Sequence, residues 1–242
     1  MITVSKLTKR YGEFTAVDGI DLEVRKGEVF GFLGPNGAGK TTTIRMVACL
    51  SVPTEGSLEV AGHDVVREPD AVKRITGYIP DRPYLYEKLT GREHLRFVSD
   101  LYGVDWSSCR TLAMERVRHF RLERWIDSRI ENYSHGMKQK LVLIGSLVHR
   151  PKILIIDEPM VGLDVLAQKQ VKELFRQQAG EGNTVFLTTH TLPVAEAVCD
   201  RIAIIDNGKI IATGTNEELK DAAGRPGSPL EEIFLQLTET PE

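Results

Sequence analysis

A phosphate-binding loop is the strongest chemical signal in the sequence. Residues 34–41 read Gly-Pro-Asn-Gly-Ala-Gly-Lys-Thr, which matches the full pattern G-x4-G-K-S/T, with an apolar run before it and helical spacing after it. Glycines let successive backbone N–H groups point inward around phosphate oxygens, and the N-terminus of the following helix adds positive potential. Lys40 would reach the β and γ phosphates, and the Thr41 hydroxyl would ligate Mg²⁺. The pattern therefore predicts a nucleotide phosphate site.

Two acidic residues, Asp157 and Glu158, end an apolar run that begins at Ile153. Such a run is typical of a central strand buried on both faces. Ligands of open parallel sheets bind at the carboxyl ends of strands, so Asp157 would emerge beside the phosphate loop and hold Mg²⁺, directly or through water. Glu158 would point to the attacking water as a general base. Two acids that simply terminate a strand are the alternative, and the phosphate loop makes it the weaker one.

The composition limits the classes of protein to which these residues can belong. The chain has 242 residues, of which 41% are hydrophobic and 27% charged, as in one large globular α/β domain. Its net charge of −3 gives no indication of a dominant basic face for nucleic acid. No apolar run approaches the roughly 20 residues that span a bilayer, and the first residues do not resemble a signal peptide. The three cysteines lack metal-ligand spacing, so we expect a soluble domain in a reducing compartment.

The elements that position these residues follow from the hydrophobic pattern. Short apolar runs separated by helical patterns predict an α/β fold with a mostly parallel sheet covered on both faces. Over residues 83–150 the strand pattern is replaced by helical spacing, as at Leu95, Val98 and Leu101, which predicts a helical insertion. The predicted strands are Ile2–Lys6, Asp21–Val24, Glu28–Leu33, Ser57–Val60, Ile75–Ile79, Ile153–Asp157, Thr184–Thr188, Arg201–Asp206 and Lys209–Ala212.

Four further short motifs occur in an order that is typical of one family. Tyr11 precedes the second predicted strand, and the Ser-His-Gly sequence at 134–136 opens a helix after the helical stretch. The Gly-Leu-Asp sequence at 162–164 lies just beyond the paired carboxylates, and His190 follows the strand that ends at Thr188. With these motifs, nearly the whole chain resembles the ATP-binding subunit of an ABC transporter.

The resemblance implies an α/β fold made of a P-loop NTPase (RecA-like) lobe with an N-terminal antiparallel β part and an inserted α-helical subdomain. It implies a single ABC ATPase domain over 1–242, in which 1–82 and 151–242 form the ATP-binding lobe and 83–150 the helical signature subdomain. Members of the family work as head-to-tail dimers with two ATP molecules between the subunits. We therefore expect ATP and Mg²⁺ as cofactors. The expected partners are a second copy of the chain and integral-membrane permease subunits, with no nucleic acid.

The resemblance also assigns roles to individual residues. Lys40, Glu158 and His190 are expected to be catalytic, with His190 contacting the γ-phosphate. Tyr11 would stack on adenine. Ser134 would act on the nucleotide held by the second subunit, and an ordinary helix cap is the alternative for its hydroxyl. The residues expected to bind ATP are Tyr11, Val17, Asn36, Gly37, Ala38, Gly39, Lys40, Thr41, Thr42, Ser134, Gly136 and Asp164.

The metal site includes one of the departures from the family pattern. Thr41, Asp157 and Asp81 are expected to contact Mg²⁺, although the family often has glutamine where Asp81 stands. Aspartate is shorter by one methylene and charged, so its metal contact would run through water and amide-type hydrogen bonding is lost. His135 and Met137 replace a glycine and a glutamine of the commoner signature sequence. We interpret these departures as traits of a subgroup that keeps its activity.

The subgroup itself is suggested by two segments. The signature form over 133–139 and the tail over 230–237, predicted as a short helix after a loop at 223–229, resemble the drug- and polysaccharide-exporter branch. Met-Val at 160–161 replaces the more usual small polar pair. We expect a subunit that powers export by ATP-driven dimer closure, located on the cytoplasmic face of the cell membrane. An importer ATPase, or a non-transport ATPase acting on ribosomes or nucleic acid, is the alternative.

Two surface features remain open at this level. A groove around Asp81, Tyr84, Leu85 and Tyr86 is predicted to receive the permease, and internal packing of the two tyrosines is the alternative. The arginine-rich segment at 110–129 is either a solvated helix face or a surface near anionic lipid headgroups.

Overall fold

Ten strands and nine α-helices make up the part of the chain that the computed structural model describes, residues 1–222 and 228–238. The strands are β1 (Ile2–Tyr11), β2 (Phe14–Val24), β3 (Val29–Leu33), β4 (Glu55–Val60), β5 (His63–Asp64), β6 (Thr76–Ile79), β7 (Ile153–Asp157), β8 (Thr184–Thr189), β9 (Arg201–Asp206) and β10 (Lys209–Gly214). The helices are α1 (Lys40–Val47), α2 (Pro69–Ile75), α3 (Gly91–Leu101), α4 (Trp106–His119), α5 (His135–Ser146), α6 (Val165–Gly180), α7 (Leu192–Val198), α8 (Asn216–Ala222) and α9 (Leu230–Thr238).

A six-stranded sheet in the order β10-β9-β3-β8-β7-β6 places the phosphate loop, Asp157, Glu158 and His190 at or just after the ends of neighbouring strands. Strands β3, β6, β7, β8 and β9 are parallel, and β10 pairs antiparallel with β9. Every residue of β3, β7 and β8 is buried, as expected for central strands covered on both faces. The carboxyl ends of these three neighbours therefore lie side by side. The predicted α/β class with a mostly parallel sheet is confirmed.

The two faces of this sheet belong to separate apolar cores. Leu154 and Ile156 of β7 pack with the core that contains side chains of α3 to α9. Ile153 and Ile155 pack with the core built from α1 and the N-terminal strands. The division arises because successive side chains of a strand point to opposite faces. The sheet therefore lies between two layers of packed side chains.

The N-terminal strands form an antiparallel sheet in the order β2-β1-β4-β5. The sequence prediction ends the first strand at Lys6 and begins the second at Asp21, and both limits are wrong, since β1 reaches Tyr11 and β2 starts at Phe14. Lys6 has a φ of 46°, and the register between β1 and β2 shifts there. Such a bulge interrupts the apolar–polar alternation on which the prediction depends. The short strand β5 is also missed.

Helices α3, α4 and α5 lie between β6 and β7, as the helical spacing predicts. The Thr90 hydroxyl accepts a hydrogen bond from the Glu93 N–H, and the Glu93 carboxylate accepts one from the Thr90 N–H, so α3 begins with a capping box. Leu95 of α3 is buried in the core, whereas Leu101 at its end is 70% exposed. The helix is therefore confirmed, and part of its apolar pattern faces the surface.

The C-terminal prediction is partly tested. Helix α9 begins at Leu230 as expected, and Leu230 and Ile233 are buried against the core. The predicted loop at 223–229 lies largely outside the described residues. Among the residues described, no helix combines the length and apolar character that crossing a membrane requires.

Candidate active site

The phosphate loop connects β3 to α1 in a backbone conformation that requires glycine. Gly37 and Gly39 have φ values of +85° and +109°, in the region that other residues rarely adopt. A Cβ at Gly39 would lie 2.6 Å from the Ala16 carbonyl oxygen, and one at Gly34 would lie 2.2 Å from the Ile205 carbonyl oxygen. The loop is therefore packed closely against neighbouring backbone on its inner side. At Gly37, by contrast, a Cβ would have nothing within 4 Å, so the outer side is open to a ligand.

Lys40 brings a buried positive charge to this loop. Its ammonium group donates hydrogen bonds to the carbonyl oxygens of Gly34 at 2.7 Å and Pro35 at 2.9 Å. Burial lowers the pKa of Lys40, and the nearby carboxylates of Glu158 and Asp157 act in the opposite direction. The lysine thus lies across the loop, where its ammonium group can exchange the carbonyl oxygens for phosphate oxygens as hydrogen-bond acceptors.

Asp157 ends β7 and is almost fully buried, with 2% of its surface exposed. Burial raises the pKa of Asp157, and the charges of Asp81 and Glu158 raise it further. Hydrogen bonds from the hydroxyls of Thr188 and Thr41 oppose this shift. The Asp157 carboxylate and the Thr41 hydroxyl are therefore adjacent, at the point where β7 and α1 meet the phosphate loop.

This donor set fits Mg²⁺. In the described ranges, no three Asp, Glu, His or Cys side chains form a ready-made metal cage. Mg²⁺ does not need one, because it usually takes one or two carboxylates and completes its shell with water and substrate phosphates. Thr41 and Asp157 offer hard oxygen ligands beside the open side of the phosphate loop. Asp81 lines the same pocket and adds a second carboxylate.

Glu158 and His190 form a hydrogen-bonded pair that sequence reasoning missed. The Nδ1 atom of His190 lies 2.7 Å from Glu158 Oε1, and the His190 backbone N–H donates to the same oxygen at 3.0 Å. The Thr189 hydroxyl donates to Glu158 Oε2 at 3.2 Å. Glu158 also has a φ of +53°, a strained conformation for a residue with a Cβ. Both the backbone and the carboxylate of Glu158 are therefore held in one orientation.

One pocket of about 400 Å³ contains most of the predicted site. Ten of the predicted site residues line this pocket: Asn36, Gly37, Gly39, Lys40, Thr41, Thr42, Asp81, Asp157, Glu158 and His190. Ala38 and Val17 are buried and do not line it, and the Val17 side chain would be 3.4 Å from a Cβ at Gly39. Their position indicates a supporting contact beneath the loop. The structure thus brings predicted residues from four separate parts of the sequence to one pocket.

Two aromatic residues, Tyr11 and Phe14, flank the turn between β1 and β2 beside the site. Tyr11 does not line the phosphate pocket, and the Lys9 ammonium lies 5.1 Å from its ring centroid. Phe14, the partner of Tyr11 across the β1–β2 turn, does line the pocket and is 64% exposed. Tyr11 therefore stays a prediction as the adenine platform, and Phe14 is a pocket residue that the sequence pattern did not indicate. An aromatic residue three positions after Tyr11 was the available signal.

Ser134, Gly136 and Asp164 lie on a second surface, apart from the phosphate pocket. The Ser134 hydroxyl caps α5 by accepting from the Met137 N–H at 3.3 Å. Asp164 caps α6 by accepting from the Ala167 N–H at 2.8 Å, and this hydrogen bond lowers the pKa of Asp164. None of the three lines the pocket that contains Lys40. Within one chain, the predicted site is therefore divided into two parts.

Comparison with known proteins decides the family. The sequence profile described as ABC transporter matches residues 17–161, more than half of the chain. The chain belongs to the ABC transporter family. The predicted family and fold class are thereby confirmed, and the matched stretch includes the phosphate loop, Asp157 and Glu158.

Individual ABC transporter proteins are similar over most of their length. The chain is 44% identical over 223 residues to the daunorubicin/doxorubicin resistance ATP-binding protein DrrA of Streptomyces peucetius, a match that covers 92% of this chain and 68% of that protein. It is 38% identical to the Nod factor export ATP-binding protein I of Paraburkholderia xenovorans, covering 96% of this chain and 76% of that protein. A solved ATP-binding subunit of an ABC transporter matches with a TM-score of 0.93 and 34% identity, covering 98% of this chain and 99% of the other.

Proposed function

We propose that this chain is the ATP-hydrolysing subunit of an ABC exporter, located on the cytoplasmic face of the membrane and joined to separate permease subunits. The observation that supports the proposal best is the single pocket in which a phosphate loop, Lys40, Asp157 and the Glu158–His190 pair converge. Export is favoured over import because the similar proteins are named for drug resistance and for Nod factor export.

The residues of the pocket divide the chemistry between them. When bound, Mg-ATP supplies the phosphoanhydride bond that is cleaved. The backbone N–H groups of the loop and the Lys40 ammonium neutralise phosphate charge, while Thr41 and Asp157 hold the metal. Glu158 accepts the proton of the attacking water. His190 acts as a positioning residue for Glu158, because its ring and its backbone N–H both contact Oε1.

The divided site supports a head-to-tail dimer. Ser134 and Gly136 at the start of α5 form a helix N-terminus suited to a γ-phosphate, yet they are absent from the lining of their own chain's pocket. Gly162 lies close to Gly136, and two apolar side chains on either side of Gly162 in the sequence are exposed, Val161 at 45% and Val165 at 85%. A second copy would cover these side chains and bring its own phosphate loop to Ser134. ATP binding would then close the dimer, and hydrolysis would remove the phosphate that joins the two faces.

The expected permease surface is exposed. Tyr84 and Tyr86 have 82% and 63% of their surfaces exposed, and Tyr86 makes an edge-on contact with Phe97, 5.3 Å between ring centroids. A groove of about 530 Å³ runs beside Tyr84 and Leu85. The alternative prediction, that the two tyrosines pack inside the protein, is therefore wrong. We place the permease contact at this groove. Residues 83–150 would form the helical subdomain, and residues 1–82 with 151–242 would form the ATP-binding lobe.

The proposal is tested by Mg²⁺-dependent ATP hydrolysis by the full chain, with Lys40→Ala as the inactive control, and by purification from solubilised membranes. The proposal is supported if the wild type hydrolyses ATP, Lys40→Ala does not, and an integral-membrane protein co-purifies with the chain. Equal hydrolysis by both chains overturns the assignment of the pocket. Co-purification of ribosomes or nucleic acid in place of a membrane protein overturns the transport role.

A further inference from the structure

The signature segment and the segment after the general base touch each other inside one chain. Gly162 has a φ of +76°, and a Cβ there would lie 2.2 Å from Cδ2 and 2.8 Å from Nε2 of His135. A Cβ at Gly136 would in turn lie 2.8 Å from the Gly162 carbonyl oxygen. The His135 ring therefore occupies the space that a side chain at position 162 would need. His135 is also the residue that stands where the commoner signature sequence has glycine.

Two further contacts extend this interface along α5. The Lys140 ammonium lies 3.4 Å from Asp164 Oδ2. Gln139 is 3% exposed, and neither polar atom of its amide has a hydrogen-bond partner in the described part of the chain. It lines a small cavity of about 10 Å³ together with Pro159 and Leu163, which leaves room for about one water molecule. The first two turns of α5 thus contact residues from both ends of the 159–164 segment.

The 159–164 segment leads directly back to the general base. The Val161 N–H donates to the Glu158 carbonyl oxygen at 3.4 Å, and the Leu163 N–H donates to the Met160 carbonyl oxygen at 3.3 Å. Met160 and Leu163 are both buried. These short-range hydrogen bonds and buried side chains leave few ways for Gly162 to move without moving Glu158.

We propose that His135 is a positioning residue whose ring, seated on Gly162, makes the position of Glu158 depend on the signature helix α5 of the same subunit. The proposal rests on the ATPase function proposed above. In the dimer, α5 would contact one nucleotide while Glu158 acts on the other, so this contact joins the two sites through one chain. A glycine at position 135 would leave the Ser134 cap of α5 in place and would remove the ring from Gly162.

The first test is hydrogen exchange of the nucleotide-free full chain. In His135→Gly, the amides of Val161 and Leu163 should exchange at least about ten-fold faster than in the wild type, because the 159–164 segment loses its contact with the His135 ring. His135→Phe keeps a ring and should restore protection. Lys138→Gly is the matched control, since Lys138 is on the same helix and pairs with Glu87. Unchanged exchange in His135→Gly, or equal acceleration in Lys138→Gly, overturns the proposal.

The second test is kinetic. His135→Gly should lower kcat about ten-fold with KM for ATP within about two-fold, because a misplaced base affects turnover and leaves nucleotide binding intact. Gly162→Ala should lower kcat strongly in the wild-type chain and by a smaller factor in the His135→Gly chain, where the ring no longer occupies the space. A rise in KM with unchanged kcat, or equal effects of Gly162→Ala in both chains, overturns the proposal. If the wild type and Lys40→Ala hydrolyse ATP equally, the proposed function fails, and the exchange measurement still decides the role of His135.

Discussion

At the residue scale, Glu158 is restricted by its left-handed backbone and by hydrogen bonds from Thr189 and His190. Glu158→Gln keeps the size of the side chain and removes its ability to accept a proton. We expect turnover to fall by roughly 10²–10⁴-fold while ATP binding persists, so that a closed dimer accumulates. Steady-state hydrolysis and size-exclusion chromatography with ATP measure both effects. Unchanged turnover would contradict the role of Glu158 as base.

Burial of the Asp157 carboxylate costs stability. Burial raises the pKa of Asp157, so the folded chain binds the proton more tightly than the unfolded chain does. As pH rises above the ordinary aspartate pKa of about 3.9, the unfolded chain loses this proton first, and the folded state is destabilised. Asp157→Asn should therefore raise Tm at neutral pH without nucleotide, by about 2–4 °C for each kcal/mol gained in the free energy of unfolding. This increase in Tm should vanish below about pH 4, where Asp157 is protonated in both the folded and the unfolded chain.

Asp164→Asn is the matched control for this stability measurement. A hydrogen bond from the Ala167 N–H lowers the pKa of Asp164, so its charge stabilises the folded state at neutral pH and loses this effect as pH falls. Asp164→Asn should not raise Tm at any pH. Thermal unfolding of both variants between pH 4 and 8 gives the comparison, and a Tm gain in Asp164→Asn equal to that in Asp157→Asn would contradict the burial argument.

At the scale of elements, Ser134 has one observed role and one proposed role, and a pair of substitutions separates them. Its hydroxyl caps α5 through the Met137 N–H, and we also expect it to face a phosphate. Ser134→Ala should lower stability by about 1 kcal/mol and reduce hydrolysis. Ser134→Asp should keep the cap and the Tm, because aspartate is an equally good N-cap, yet abolish hydrolysis through repulsion of phosphate. Full hydrolysis by Ser134→Asp would show that the hydroxyl is an ordinary cap.

Elements also show why the sequence was informative in some places and not in others. The phosphate loop and the β7 carboxylates are predictable because each is a local pattern at the end of a buried strand. The Glu158–His190 hydrogen bond joins residues 32 positions apart and depends on the pairing of β7 with β8, which no local spacing indicates. The predicted limits of β1 and β2 are wrong because the bulge at Lys6 breaks the apolar–polar alternation. Long-range pairing and backbone irregularity, unlike the motifs, leave no local pattern in the sequence.

At the scale of the whole molecule, the divided site makes a prediction about mixed dimers. Lys40→Ala damages the phosphate loop, and Ser134→Asp damages the surface that would serve the other subunit. Neither homodimer would contain an intact site, whereas the mixed dimer would contain one, made from the Lys40 of one chain and the Ser134 of the other. With random mixing and independent sites, equal amounts should recover about one quarter of wild-type hydrolysis.

The recovery is measured by titrating one inactive variant with the other at constant total concentration. Activity should pass through a maximum at the equal mixture, because the fraction of mixed dimers is greatest there. Mixing two chains that share the same defect, such as Lys40→Ala with Glu158→Gln, is the control, since both substitutions damage the phosphate pocket and every site would keep at least one defect. A site completed within one chain predicts no recovery in either mixture, so a flat titration would contradict the head-to-tail arrangement. A maximum found only with Ser134→Asp would identify α5 as the part of the site that each subunit supplies to its partner.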